Sequence, residues 1–251
     1  FHAVYWPAML LSAGEPLPTT IYVHEYLTVD GRKISKSRGA AIDPVALVER
    51  FGTDALRYWL LREPTRTEDA DFTIDRLLAR YHADLANGLG NLLQRTVSML
   101  VRYCAGVVPT AGEPLPGATD LADIAGSIPA AVEDALDAFD FRAALNAIWE
   151  LVTRANRFVE EAAPWSLSKK VGAGDPVAGR QLDGVLYALA ESLRLLAYHL
   201  TPFLPATAAR IREQLGLTAA GKAIWGGLVP DVTVGRPQPI FPRLDLAASG
   251  C

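Results

Sequence analysis

The sequence predicts a mostly α-helical fold in which a short mixed α/β segment precedes a helical bundle. A β-branched and aromatic run is confined to the first 43 residues, and apolar residues recur at helical spacing from Asp43 onward. A proline-rich stretch, 229–244, closes the pattern. With 251 residues, half of them apolar, the chain is long enough for one or two domains with a sizeable core.

The first segment alternates helix and strand signals. "FHAVYWPAMLLSAG" predicts a helix closed by Gly14, and "LPTTIYVHEYLTV", residues 17–29, predicts a strand. "VDGRK" then supplies the Asp-Gly pair of a tight turn, which leads into a basic loop. Strand, turn, loop and helix in this order are typical of an α/β unit.

The bundle follows from helix boundaries and spacing. Asp43 is the expected cap of a helix that begins at Pro44 and stops at Gly52, and a second helix with its own cap covers 53–63. A Pro/Gly-rich loop is expected over 106–120 and an extended strap over 229–244. The further predicted helices are 74–103, 120–139, 141–162, 180–198 and 203–215.

Composition and charge limit which ligands the chain can bind and argue against a zinc knuckle, a disulfide framework and a membrane span. The net charge of −4 means that an anionic ligand must be met by a local basic patch. The two cysteines have no CxxC spacing, which indicates neither a disulfide framework nor a zinc knuckle and fits a reducing compartment. The most apolar stretch, 182–204, carries interspersed charges and one apolar helical face, which favours a bundle helix over a bilayer span.

The stretch "GRKISKSRG", residues 31–39, concentrates positive charge. It holds Arg32, Lys33, Lys36 and Arg38 together with two serines and two flanking glycines. Lysines three apart can close on a polyphosphate, and the serine hydroxyls can donate to its oxygens. Such a loop suits the charge that develops on a triphosphate as it splits. On composition alone, a solvated hairpin tip explains the stretch equally well.

Several short sequence segments favour one of these two explanations of the basic stretch. "KISKS" closely resembles the Lys-Met-Ser-Lys-Ser signature of class I aminoacyl-tRNA synthetases. "FHAVYWPAML" comes before it, and "DALRYWLLRE", "APWSL" and "PIFPRL" come after it, in an order that resembles the second half of methionyl-tRNA synthetase. The resemblance covers nearly the whole chain. It implies a remnant of a Rossmann-like α/β nucleotide-binding domain over 1–72, a helical anticodon-binding domain over 73–217, and an extended tail over 218–251.

The resemblance also implies roles for the basic loop. Lys33 and Lys36 would be the catalytic lysines, which hold the triphosphate of ATP while the methionine carboxylate attacks the α-phosphate. ATP, with its Mg²⁺, is then a substrate, and no metal is expected in this segment. The implied ATP-binding residues are Leu27, near the adenine, and Lys33, Ile34, Ser35, Lys36 and Ser37.

Two further sets of residues carry implied substrate contacts. His2, Tyr5 and Trp6 would line the methionine pocket, where aromatic walls suit a thioether; from periodicity alone, the two aromatics are plain core residues. The other set, Asn91, Arg95 and Trp165, would read the anticodon of tRNA(Met). Asn91 and Arg95 share a helix face, and Trp165 follows Pro164 at the end of a helix. An exposed polar pair and a buried tryptophan are the alternatives.

The expected His-x-Gly-His motif of the family is absent. The four histidines, at positions 2, 24, 82 and 199, do not have that spacing. We therefore expect the chain to begin inside the catalytic domain and to be unable by itself to form methionyl-adenylate. The simplest account of the missing motif is that the chain is a truncated part of a longer synthetase. The other account is that it is one half of a split enzyme. Any zinc would belong to the upstream region.

The complete protein is expected to be a cytoplasmic monomer. Two alternatives stay open at this point: a non-catalytic tRNA anticodon-binding module, and a class I synthetase for leucine, isoleucine, valine or cysteine. The intact lysine pair speaks against the first, and the "FHxxxWP" stretch speaks against the second.

Overall fold

The amino-terminal segment forms a small mixed sheet flanked by helices. The computed structural model describes residues 1–29, 31–33, 42–65, 68–112, 115–219 and 221–244. The first elements are α1 (Tyr5–Ala13), β1 (Leu27–Val29), β2 (Arg32–Lys33), α2 (Pro44–Phe51), α3 (Thr53–Arg62) and β3 (Ala70–Phe72). β1 is central, antiparallel to β2 and parallel to β3. The predicted α/β character is thus confirmed.

The predicted strand over 17–29 is wrong for most of its length. Only Leu27–Val29 forms a strand, and its pairing extends from Leu27 opposite Ala70 to Val29 opposite Phe72. A strand persists only where its backbone groups find partners. Within the described residues, β2 and β3 pair with these three residues alone, so the β-branched run before them remains extended without a ladder.

The helices after the basic loop match the sequence closely. The Asp43 carboxylate accepts a hydrogen bond from Val45 N at 2.9 Å, and Pro44 is the first residue of α2. Gly52 ends α2 with φ of 85°, a conformation that favours glycine. The expected separate cap of α3 is wrong, because Gly52 occupies that position and no side chain caps the helix.

The long helical segment predicted over 74–103 is continuous but changes its winding. It comprises α4 (Ile74–Arg80), a π-helical segment called π1 (Tyr81–Gly90), and α5 (Asn91–Tyr103). Thr73 caps α4 by accepting from Arg76 N at 3.1 Å. π-Helical turns are rare and frequently occur at functional sites. The apolar periodicity does not distinguish this winding from an α-helix.

The bundle continues with α6 (Pro116–Asp137), α7 (Phe141–Ala162), α8 (Pro164–Gly172), α9 (Pro176–Leu200) and α10 (Pro205–Gln214). α6 begins inside the predicted loop, because a proline is well placed at a first helical position. The sequence did not predict α8. Ala163, at φ of 41°, ends α7, and Pro164 starts the new helix.

α9 lies at the centre of the bundle. Every residue from 184 to 197 is buried, so the helix is enclosed on all sides and not on the single apolar face that its leucines predict. The enclosed residues include Glu191 and Arg194, which form an ion pair at 2.7 Å. Among the helices that the structure describes, none has both the length and the apolarity to cross a membrane.

The proline-rich tail packs as the predicted extended strap. Thr233 forms an isolated antiparallel bridge with Val107, and Ile240 and Phe241 are buried. Tyr187 donates a hydrogen bond to Leu228 O at 3.0 Å, and Tyr81 donates to Pro242 O at 2.8 Å. The strap therefore closes the bundle through side chains from α9 and π1.

Candidate functional site

A polar groove of about 460 Å³ runs between π1, the first turn of α5 and one face of α7. Its walls combine amides, opposite charges and one indole. The lining residues are Ala83, Asp84, Asn87, Gly88, Asn91, Arg95, Trp149, Val152, Thr153, Asn156, Arg157 and Glu160.

Two of the three predicted anticodon-reading residues, Asn91 and Arg95, line this groove, and Trp165 lies beside Arg95. Asn91 is exposed at the start of α5, and Arg95 lies one turn later. The Arg95 guanidinium carbon lies 5.8 Å from the centre of the Trp165 ring, within the range of a cation–π contact. The same guanidinium pairs with Glu160 at 2.6 Å. The roles of the three residues stay predictions, but their proximity is a property of the fold.

Trp165 lies on the surface. It follows Pro164 after the end of α7, in the first turn of α8, and 37% of its surface is exposed. The alternative of a buried tryptophan is therefore wrong. An exposed indole beside a guanidinium offers stacking and hydrogen bonds together, which is how proteins read unpaired bases of RNA.

The sequence reasoning missed the α7 wall of the groove. Trp149, Asn156 and Glu160 recur at seven- and four-residue intervals and so share one helix face. Asn156 donates from Nδ2 to Gly88 O at 3.2 Å, which ties α7 to π1. Polar residues that interrupt an otherwise apolar helix face were the available signal.

A buried tyrosine supports the groove from behind. The Tyr58 ring lies 4.6 Å from the Trp149 ring, and its hydroxyl donates to Asp84 Oδ2 at 2.8 Å. Burial raises the pKa of Tyr58 far above its usual value, and the neighbouring Asp84 carboxylate raises it further. The phenol therefore remains a neutral donor, which holds Asp84 at the groove wall.

Two other residues of α3, Asp54 and Arg57, attach the sheet segment to the bundle. Asp54 Oδ2 accepts from Thr207 N at 2.6 Å in the first turn of α10. Arg57 donates to the carbonyl oxygens of Pro202 and Phe203 at 2.9 and 2.7 Å. These residues thus hold the two parts of the molecule together.

The hairpin that leads into the basic loop is anchored at one carboxylate. Asp71 accepts from Gly31 N at 2.7 Å and from the Thr28 hydroxyl at 2.9 Å. These two hydrogen bonds, the backbone one first, lower the pKa of Asp71. Lys33 lies in β2, opposite Thr28. The other predicted residues of the loop, Ile34, Ser35, Lys36 and Ser37, lie outside the described residues.

The predicted methionine-pocket residues lie on the surface. α1 contains no buried residue, and Tyr5 and Trp6 are 62% and 41% exposed. The alternative that they are core aromatics is therefore wrong. His2 is also exposed, just before the helix.

Leu27 is only partly exposed. It lines an apolar crevice of about 490 Å³ between the extended amino-terminal segment, the end of α3 and the α6–α7 turn. His2, Tyr5 and Trp6 are not among the described residues that line this crevice.

Metal-ligating residues are dispersed in the part of the chain that the structure describes. No three His, Cys, Asp or Glu side chains there are close enough to hold an ion.

Comparison with known proteins identifies the class of this fold. Residues 1–97 match the family described as "tRNA synthetases class I (M)", and residues 108–231 match "Anticodon binding domain of methionyl tRNA ligase". The chain is thus a class I aminoacyl-tRNA synthetase segment joined to an anticodon-binding domain.

Individual relatives narrow the assignment. The chain is 42% identical to the methionine–tRNA ligase of Caldanaerobacter subterraneus subsp. tengcongensis and 40% identical to that of Bacillus subtilis, over 98% of its own length and 38% and 37% of theirs. It superposes on the Mycobacterium tuberculosis methionyl-tRNA synthetase in complex with methionyl-adenylate with a TM-score of 0.88 and 36% identity, over 96% of this chain and 48% of that one. The chain belongs to the methionyl-tRNA synthetase family and corresponds to its carboxy-terminal portion. It spans about two fifths of the length of the curated relatives that it matches.

This assignment decides one alternative. A synthetase for leucine, isoleucine, valine or cysteine is ruled out, because both family matches name the methionine enzyme.

Proposed function

We propose that this chain supplies two parts of a methionine–tRNA ligase: the lysine loop that assists the formation of methionyl-adenylate, and the groove that reads the anticodon of tRNA(Met). The observation that carries the proposal is that Asn91 and Arg95 line one polar groove and that the exposed Trp165 ring lies beside Arg95. Its substrates are ATP with Mg²⁺, L-methionine and tRNA(Met). Catalysis is assigned to the complete enzyme, and we expect the 251-residue chain alone not to form methionyl-adenylate.

The groove chemistry suits an unpaired base. Trp165 offers a face for stacking, while Asn91 and Arg95 offer donors to a base edge. Glu160 offsets the positive charge of Arg95 and orients its guanidinium, so this guanidinium attracts an RNA phosphate less strongly than an unpaired one would. The groove therefore favours base edges over uniform contact with the RNA backbone.

The groove proposal is tested with the purified chain and a stem-loop RNA. We expect tighter binding to a loop that carries CAU than to the same stem with another anticodon. The substitution Trp165→Ala is expected to cost ~1–3 kcal/mol of binding free energy, the usual value of one stacked base. Equal binding to all loops, or unchanged binding of the Trp165 variant, would overturn the assigned role of the groove.

The loop proposal concerns charge on ATP. Lys33 lies in β2, opposite Thr28, and Asp71 accepts a hydrogen bond from Gly31 N in the same hairpin. Lys33 and Lys36 are proposed to neutralise the departing pyrophosphate while the methionine carboxylate attacks the α-phosphate. Leu27, Ile34, Ser35 and Ser37 are proposed as further ATP contacts.

The test of the loop uses the full-length enzyme. Replacing Lys33 and Lys36 by alanine is expected to slow ATP–pyrophosphate exchange by about a hundredfold or more, with a smaller change in methionine affinity. Lys170→Ala, an exposed lysine in α8, is the matched control and should leave exchange unchanged. Unchanged exchange in the double variant would favour the alternative of a non-catalytic anticodon-binding module.

The remaining assignments extend the same proposal. His2, Tyr5 and Trp6 are proposed to form one wall of the methionine pocket, because α1 presents its aromatic side chains outward. The proposed domains are 1–72 for the catalytic part, 73–217 for the anticodon-binding part and 218–251 for the tail. A cytoplasmic, monomeric enzyme is proposed for the complete protein.

A further inference from the structure

The groove contains a hydrogen-bond donor without an acceptor. Trp149 is 7% exposed, and its Nε1 atom has no hydrogen-bond partner among the described residues. An indole N–H can only donate, and a buried donor that remains unpaired destabilises the protein. Such a group in a native fold has either a local explanation, such as strain or an ordered water, or a functional one, a donor reserved for a ligand.

The position of Gly88 favours the second explanation. A Cβ placed on Gly88 would lie 3.9 Å from Trp149 Nε1 and 3.7 Å from Val152 Cγ1. Gly88, Trp149 and Val152 all line the groove. The glycine therefore leaves free the space next to the indole Nε1 at the groove wall, which a side chain would fill.

The indole is held firmly in this orientation. Tyr58 packs on it at 4.6 Å between ring centres, and the Tyr58 hydroxyl is fixed by Asp84. The Asn156 amide group donates to the carbonyl oxygens of Gly88 and Val152, at 3.2 and 3.0 Å, so both of these oxygens already have a donor. The N–H of Trp149 thus lies among groups that are already paired.

We propose that Trp149 is a further specificity-determining residue of the groove, where its Nε1–H donates to an acceptor on the edge of an unpaired RNA base. A carbonyl oxygen or an unprotonated ring nitrogen fits this donor, whereas an exocyclic amino group in the same place does not. The inference rests on the proposed anticodon-reading function of the groove. Since the N–H lies just beneath the groove surface, base entry includes a small displacement of the atoms that cover it.

The first experiment removes the donor and keeps an aromatic ring. Trp149→Phe in the 251-residue chain is expected to weaken binding to the CAU stem-loop by about five- to tenfold, the value of one neutral hydrogen bond. The matched control is Trp59→Phe in α3. Trp59 is 1% exposed, its Nε1 is also unpaired among the described residues, and it packs against Phe72 and not in the groove. The control variant should bind the RNA like the parent.

The second experiment covers the donor without touching the tryptophan. In Gly88→Ala the new methyl group would meet its neighbours at 3.5 to 3.9 Å, which is ordinary contact, so the fold is expected to persist. Alanine also favours helical winding over glycine. We expect a chain at least as stable as the parent in thermal unfolding that binds the stem-loop at least fivefold more weakly.

A direct measurement follows the indole itself. In ¹⁵N-labelled chain, the Trp149 indole N–H resonance, assigned with the Phe variant, is expected to shift downfield and to exchange more slowly when the stem-loop is added. The inference is overturned if Trp165→Ala weakens binding while Trp149→Phe and Gly88→Ala do not, or if the resonance is unmoved by bound RNA. If Trp165→Ala also leaves binding unchanged, the proposed function of the groove fails first.

Discussion

The ion pair inside α9 gives the sharpest prediction about the fold. Glu191 and Arg194 are 0% and 2% exposed. The two Glu191 oxygens accept from Arg194 Nε and Nη2, both at 2.7 Å, and Gly227 N donates to Glu191 Oε1 at 3.0 Å. Arg194 also donates to the carbonyls of Lys222 and Ile224, at 2.8 and 2.7 Å. The pair therefore connects the central helix to residues 222–227, which lead into the strap.

The substitution Glu191→Gln removes the charge and keeps the shape. One carboxylate acceptor becomes an amide donor, which faces an Arg194 N–H in either orientation and also Gly227 N when it takes the place of Oε1. Arg194 then remains buried with an uncompensated charge, and breaking one partner of such a pair costs about 3–5 kcal/mol of unfolding free energy. We expect the full loss here, since solvent does not reach either group.

A surface pair provides the matched control. Asp120 pairs with Arg154 at 2.8 Å, but its side chain is 57% exposed. Water and salt already screen that pair, so Asp120→Asn is expected to cost at most about 1 kcal/mol. The chemical change is analogous in both variants, and burial is the main difference.

Urea unfolding of the chain, followed by circular dichroism, measures both losses. Hydrogen exchange adds a local readout, because the amide of Gly227 should lose protection in the Glu191 variant and not in the Asp120 variant. The double variant Glu191→Met, Arg194→Met should lose less than the sum of its single changes. If Glu191→Gln costs no more than Asp120→Asn, the pair does not hold residues 222–227 against α9 and the reasoning is refuted.

Three further predictions concern titration, close packing and reactivity. Burial lowers the pKa of His199 to about 4, so the fold favours the neutral ring. About 3 kcal/mol of stability that is present above pH 6.5 is therefore lost as the pH falls toward 4. His199→Gln should flatten that part of a stability–pH profile. Gly112→Ala places a Cβ 2.3 Å from the Arg180 carbonyl oxygen and should lower the urea midpoint by an amount equivalent to about 2 kcal/mol or more, whereas no shift would contradict this close approach. Burial, with a smaller contribution from Asp183, raises the pKa of Cys104 to about 11, so its alkylation at pH 8, followed by peptide mass spectrometry, should be about a hundredfold slower than for an unperturbed thiol.

Helix boundaries were largely predictable because their causes are local. Asp43, Pro44 and Gly52 act on the few residues beside them, and the structure places α2 between them. The strand prediction failed over 17–26 for the opposite reason. A strand depends on a partner elsewhere in the chain, and β-branched residues alone do not supply one.

The amino-acid sequence by itself determined the helical character, the concentration of lysines in one short loop, and the family, since these depend on residue type and on order along the chain. Only the tertiary structure decided that Trp165 starts α8 beside Arg95, that Glu160 pairs with that arginine, and that the Trp149 donor faces Gly88. The groove is held together by contacts between residues that are 65 and 68 positions apart in the chain. Such contacts arise from the packing of helices against one another, a property that no local pattern of residues contains.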